Sequence, residues 1–270
     1  MDKDYLNNIP THQPKYPVQT LEKALDIIEL LKSQSTDEGL GISDLSEMLN
    51  IGKSTIHRLL DTLVAYQYVE KTREGKYRLN WRLYQIGNAL PQQRNINNVD
   101  IKVLKQLSDT IAETVNLGVR DGRDVVVVSK IDPDVSTRIK VDFRIGEREP
   151  FHCTAMGKVL FSELEEAEIR KIVEKEGLPR LTENTICSFH ELMKELRKVR
   201  KKGFALDEGE FCNELSCIAM PLRNFKEKII AAVSVSGPSF RLRSNKITKV
   251  IEELEQTTES LSRDLGYQPK

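Results

Sequence analysis

The chain has 270 residues, 39% apolar and 30% charged, with 41 basic side chains against 41 acidic and a formal net charge of +0. That length fits about two domains, and the balanced charge excludes a polycation, so any hold on nucleic acid has to come from a local patch. No apolar run is long enough for a bilayer and the amino end lacks a signal-peptide core, so a cytoplasmic protein with no membrane partner is expected.

Residues 1–17 are polar and carry Pro10, Pro14 and Pro17, which reads as a disordered tail. A helix is expected from Val18 to Ser33, with Leu21, Leu25, Ile28 and Leu31 facing inward, then a loop from Thr36 to Gly41. Ser43 is the expected cap of a short helix, with Asp44 and Glu47 in its first turn and Leu45, Met48 and Leu49 inside. Asn50-Ile51-Gly52 supplies a turn in which Gly52 is free to take a positive φ. In the next helix Ile56, Leu59, Leu60, Leu63 and Val64 recur at helical spacing on one face, while Ser54, Thr55, Arg58 and Thr62 occupy the other. Hydroxyls and an arginine on an outward helix face suit the reading of base edges and phosphates in a DNA major groove.

Two short β-rich runs follow, Tyr68 to Lys71 and Lys76 to Leu79, joined through Arg73-Glu74-Gly75. Their cations, Lys71, Arg73, Lys76 and Arg78, suit a wing lying on phosphates. Asn80 can cap a helix from Trp81 to Leu90 that Pro91 ends. The expected divisions are 18–90 for a winged helix-turn-helix, 91–114 for a linker region with a hinge at Gln92 to Asn98 and a helix from Val99 to Glu113, and 115–270 for a second domain.

That second domain reads as α+β with one antiparallel-rich sheet. Strands are expected at Val115 to Val119, Val125 to Lys130, Arg138 to Phe143, Phe204 to Asp207, Cys217 to Leu222 and Ile229 to Ser236, the last closed by Gly237-Pro238. Helices are expected at Ala155 to Glu163, Glu165 to Lys175, Ser188 to Lys202 and Asn245 to Leu265. The loop-to-helix step at His152 to Lys158 would aim backbone amides at a small anion such as a carboxylate, unless Thr154 caps the helix and fills those donors itself. Ser234 and Ser236 alternate with Val233 and Val235 and so share a sheet face. Cys153, Cys187, Cys212 and Cys217 match no zinc spacing and read mostly as buried thiols, so neither metal nor cofactor is expected.

Six stretches in order resemble the IclR-type bacterial transcriptional regulators: Val18 to Leu25, Lys53 to Leu60, Gly75 to Leu79, His152 to Lys158, Gly203 to Asp207 and Ser234 to Pro238. The resemblance runs from about residue 18 to 265. It implies an N-terminal winged helix-turn-helix joined by a linker helix to a C-terminal GAF-like effector-binding domain, in a dimer or tetramer. The implied function is a DNA-binding regulator, taken as a repressor of a catabolic operon, that senses a small organic, sugar-derived or aromatic acid. Carried onto this chain, DNA contacts fall to Lys53, Ser54, Thr55, His57, Arg58, Thr62, Lys71, Arg73 and Lys76. The effector carboxylate would meet the amides of Ala155 and Met156, with Asp207, Cys217, Ser234 and Ser236 on the polar side and Leu215 on the apolar side. Two other classes stay open: a winged-helix scaffold that binds protein instead of DNA, and an enzyme using Cys153 or Cys217 with His152.

Overall fold

The computed structural model describes residues 14–33, 38–93, 96, 99–134, 144–242 and 246–268. The chain divides between residues 94 and 95 into two compact units. Most of the expected tail, the strand at Arg138 to Phe143, and residues 94, 95, 97 and 98 of the expected hinge lie outside the described residues. Within the hinge stretch Ile96 is buried in the core of the second unit.

The first unit opens with α1 (Gln19–Ser33), α2 (Ile42–Leu49) and α3 (Lys53–Ala65). Its core gathers Ile27, Leu30 and Leu31 with Leu45, Ile56, Leu59, Leu60 and Leu63. The stripe of α1 is therefore rotated from the expected one: Leu21 and Leu25 are 58% and 52% exposed, and Ile27 and Leu30 take the inward places. Met48 of α2 is likewise mostly outside this core. The cap of α2 also differs, because the Asp44 carboxylate reaches back to accept from the Gly41 amide at 2.9 Å, which leaves Ser43 inside the first turn. Asn50, not Gly52, takes the left-handed conformation that ends α2, with φ 53°. Asn tolerates that region better than most side chains.

The wing is β1 (Val69–Lys71) paired antiparallel with β2 (Tyr77–Leu79), in register Val69 with Leu79 and Lys71 with Tyr77. Leu40, expected in a loop, adds a bridge to Tyr77 and gives the wing a third edge. After it come α4 (Arg82–Gly87) and α5 (Ala89–Gln93) in place of one helix. The Asn80 side chain does accept from the Arg82 amide at 3.0 Å. Pro91 sits in the first turn of α5, where a missing N–H costs no internal bond.

The second unit opens with α6 (Ile101–Ile111), capped by Asp100, which accepts from the Lys102 amide at 2.8 Å. Then come β3 (Thr114–Asp121), β4 (Asp124–Ile131), β5 (Arg148–Pro150), α7 (Ala155–Phe161), α8 (Glu166–Glu176), α9 (Phe189–Lys202), β6 (Ala205–Glu208), β7 (Leu215–Arg223), β8 (Ile229–Pro238), α10 (Ser239–Leu242) and α11 (Lys246–Asp264). The strands form one antiparallel sheet in the order β5-β4-β3-β8-β7-β6. Gly237-Pro238 continues β8 rather than closing it, and α7 stops at Phe161, short of Glu163.

The sheet separates two cores. On one face Val115, Leu117, Ile218, Met220, Val233 and Val235 pack under α6 and α11. On the other, Val125, Val127, Leu215, Cys217, Ala219 and Ala232 pack under α7 and α9. Alternation along each strand makes the division, since successive side chains point to opposite faces.

Candidate functional site

In the first unit, α3 buries Ile56, Leu59, Leu60 and Leu63 and turns Lys53, Ser54, His57, Arg58 and Thr62 to solvent, with Thr55 half-buried beside them. The Thr62 hydroxyl donates to the Arg58 carbonyl at 3.0 Å. Lys71 and Arg73 are exposed on the wing, and the Lys71 ammonium lies 5.6 Å from the centroid of the Tyr77 ring. Two wing cations are engaged within the unit: Lys76 pairs with Glu38 at 3.1 Å and Arg78 with Glu70 at 2.6 Å. Pairs this exposed contribute little to stability and exchange readily for another anion.

In the second unit one face of the sheet carries a row of polar groups inside an otherwise apolar interior. Asp207, Cys217 and Ser236 stand opposite one another across β6, β7 and β8, and Asn116, Ser234 and Ala219 do so across β3, β8 and β7. Paired residues share a face, so Asp207, Cys217, Ser234 and Ser236 are brought together, with Leu215 on the same side. All five side chains are buried. The Asn116 amide donates to the Ser236 hydroxyl at 3.2 Å. Across this row lies α7, whose Met156 reaches β3: the sulfur is 2.7 Å from where a Cβ on Gly118 would stand. Thr154 caps α7 by accepting from the Gly157 amide at 3.2 Å, while the Ala155 and Met156 amides lie outside that cap.

Four further polar residues that pattern alone does not single out are buried in the same unit. Asn116 is a lone carboxamide in an apolar strand, which was the available signal. Glu149 lies on the edge strand β5 opposite Val125, in a sequence with no apolar alternation to mark it. Lys158 is fully buried in α7, where its ammonium donates to the Leu206 carbonyl at 2.8 Å and pairs closely with Glu210. Glu210 in turn gives its backbone amide to one Asp207 oxygen at 2.7 Å.

Among the described residues around this site, the buried carboxyls Glu149, Asp207 and Glu210 face the one buried ammonium of Lys158, which leaves this interior rich in acid. Burial pushes Glu149 up to about 8, and the charges of Glu147 and Asp207 add to that rise. Burial also raises Glu210 to about 7 and Asp207 to about 6, each opposed by Lys158. The Cys153 and Cys217 thiols are pushed up by burial and by the field of Asp207. His152 is lowered by burial, and its Nε2 lies 3.0 Å from the Pro179 carbonyl. Among the described residues, Asn116 Oδ1, Glu149 Oε1, Asp207 Oδ2, Glu210 Oε2 and Ser234 Oγ are buried without a hydrogen-bond partner. Orphans of this kind are rare in folded proteins and each costs free energy.

Two family models match this chain: the one described as the IclR helix-turn-helix domain over residues 20–73, and the one described as bacterial transcriptional regulator IclR C-terminal over residues 89–263. The chain is 36% identical over 251 residues to the HTH-type transcriptional regulator XynR of Escherichia coli (strain K12), covering 93% of this chain and 98% of that one. Its fold is similar to the crystal structure of the Thermotoga maritima IclR, with TM-score 0.79, 26% identity and coverage of 93% of this chain and 100% of the other. It is also similar in fold to an IclR homologue from Microbacterium hydrocarbonoxydans complexed with 4-hydroxybenzoate, with TM-score 0.75 at 21% identity over 92% of this chain and 99% of the other.

Proposed function

The chain belongs to the IclR family of bacterial transcriptional regulators, and on that premise we propose that a small acid held in its second unit sets its affinity for an operator. The observation that carries the DNA half is the outer face of α3. It offers Lys53, Ser54, His57, Arg58 and Thr62 on the side away from the core, with the cations of the wing following in sequence. In this reading Ser54, Thr55, His57, Arg58 and Thr62 enter the major groove, and Lys53, Lys71, Arg73 and Lys76 hold phosphates. The protein acts as a homo-oligomer whose paired winged units address two half-sites about ten base pairs, or a multiple, apart.

The ligand half rests on the orphaned polar atoms gathered on one sheet face under α7. Ala155 and Met156 amides, Asp207, Cys217, Ser234, Ser236 and Leu215 are the proposed contacts, joined by Asn116 and Glu149. Repression is the proposed output, relieved or strengthened as the acid is bound. The chemistry of the thiols supports binding over catalysis. A nucleophilic cysteine needs a lowered pKa, whereas both buried thiols are raised and His152 is occupied by a carbonyl.

The test is a gel shift on the region upstream of the protein's own gene. Operator affinity should fall by at least about tenfold between 50 and 200 mM salt, as counterion release requires. Failure to retain the fragment at the lower salt rejects the DNA reading and leaves the scaffold alternative.

A further inference from the structure

The wing carries four cations within eight residues, Lys71, Arg73, Lys76 and Arg78. Two of them already hold an oxyanion. Glu70 of β1 faces Arg78 of β2 across the hairpin, and the Arg78 Nε–H donates to one Glu70 oxygen at 2.6 Å. The other Glu70 oxygen accepts from the Asn80 side-chain amide at 3.2 Å, and Asn80 is fixed in turn by accepting from the Arg82 backbone amide at 3.0 Å. Glu70 is therefore set in place through both oxygens, unlike a loose surface carboxylate. Lys76 donates at 3.1 Å to Glu38, which lies ahead of α2 in the chain. Among the described residues no ion pair is seen at Lys71 or Arg73.

A carboxylate offers an arginine or a lysine the kind of charged oxygen acceptor that a backbone phosphate does. A donor given to Glu70 or Glu38 is withheld from DNA while the pair stands, and the acid itself repels an approaching strand. With Glu74 at the turn, three carboxylates stand among the four cations of the wing, so the region attracts a polyanion weakly until those pairs open. An opposite-charge pair across a hairpin also steadies it, which by itself would make Glu70 a support for DNA binding. The second pair argues otherwise. Glu38 lies outside β1 and β2 and its side chain is 78% exposed, too exposed for the pair to steady much.

Resting on the DNA surface proposed above, we infer that Glu70 and Glu38 are internal stand-ins for phosphate, an autoinhibitory contact that makes DNA binding by the wing an exchange of its own carboxylates for those of the duplex backbone. The exchange is cheap, because exposed pairs are weak. It still subtracts from the hold of Arg78 and Lys76 on any duplex. Removing the acids therefore tightens binding, the reverse of what loss of a supporting side chain does.

The experiment is an anisotropy titration of the full chain at about 50 mM salt. Its probes are the region upstream of the protein's own gene and a random duplex of equal length. Glu70→Gln and Glu38→Gln should each tighten binding about 1.4–5-fold, the range set by an exposed ion pair, and together about 2–25-fold. Arg78→Ala placed in the Glu70→Gln background should abolish the gain of the latter. Glu74→Gln is the charge-matched control. Glu74 lies in the field of Lys76 and Arg78 but forms no ion pair among the described residues, so its loss should gain less than either of the others. Glu38→Gln keeps the test open should Glu70→Gln disturb the hairpin. Absence of tightening in Glu38→Gln, or in a Glu70→Gln protein of unchanged thermal stability, overturns the inference. A gain that survives Arg78→Ala, or that Glu74→Gln matches, overturns it too, since it then comes from net charge alone. Variants no tighter than a parent that binds DNA reject this inference and leave the DNA surface standing. A parent that retains neither duplex rejects both.

Discussion

Glu149 lies on the edge strand β5, is 2% exposed, and holds its proton up to about pH 8 because burial disfavours the anion. An unfolded glutamate releases that proton near 4.5. Between these values the folded chain binds more protons than the unfolded one, so stability falls as pH rises. The stability linked to this proton is fully present below about 4.5 and is lost as pH passes 8. Asp207 and Glu210 add slopes of the same sign at lower pH. Glu149→Gln should therefore flatten the fall and stabilise the protein by roughly 2–4 kcal/mol at pH 9, with a smaller gain at pH 6. Denaturant unfolding at the two pH values measures both. Arg58 is the opposite kind of residue, exposed on α3 with no role in the core. Arg58→Ala should weaken operator binding by about 1–3 kcal/mol if it reads a base, with thermal stability unchanged; an unaltered gel-shift affinity removes it from the groove. At this scale the sequence shows what repeats. Ser234 and Ser236 are legible by alternation, and Arg58 by its place opposite a leucine stripe. Glu149 and Glu210 are not, because Glu149 sits on a three-residue edge strand and Glu210 in the turn after β6, where its amide meets Asp207.

Periodicity locates α3, α9, α11 and the long strands because each has a broad apolar face to bury. It fails where the apolar supply is ambiguous. Helix α1 has two candidate stripes, and the packed one runs through Ile27, Leu30 and Leu31 because those residues meet α3 and the wing. The third edge of the wing is a single bridge at Leu40, too short to leave a pattern. Helix α7 is a different case, buried over its whole length and thus without a polar face to read. Its packing depends on Gly157, where a Cβ would overlap the backbone of Phe151. Gly157→Ala should cost about 2–3 kcal/mol through that overlap. It should also weaken ligand binding, since α7 carries Ala155 and Met156 over the sheet. A Tm within a degree of the parent would show that the neighbouring loop yields freely.

The division into two units follows from composition: a small helical core with a cationic outer face, then a sheet-centred core with its polar groups inside. The two-unit organisation is legible from the polar stretch Gln92 to Asn98, within which the chain divides, and from the change to a strand pattern at Val115, whereas the helix end expected at Pro91 is not found, since α5 continues through that proline. For the molecule as a whole, regulation is an exchange of free energy between ligand and operator. A bound acid should change operator affinity by about 5–150-fold, and operator DNA should change acid affinity by the same factor. Titrating each partner in the presence of the other checks this, and unequal factors would mean that a third equilibrium, such as subunit exchange, intervenes.

Strands β3 and β8 belong to both cores at once. Asn116, Ser234 and Ser236 look toward α7, while Val115, Leu117, Val233 and Val235 look toward α6 and α11. The wall between them is a single backbone layer, and a slip of one residue would exchange its two linings. A guest that tugs the serines therefore tugs the footing of the helices behind them. New tastes on the wet side must be acquired without disturbing the dry side, which leaves side-chain exchange at fixed register as the open route for change.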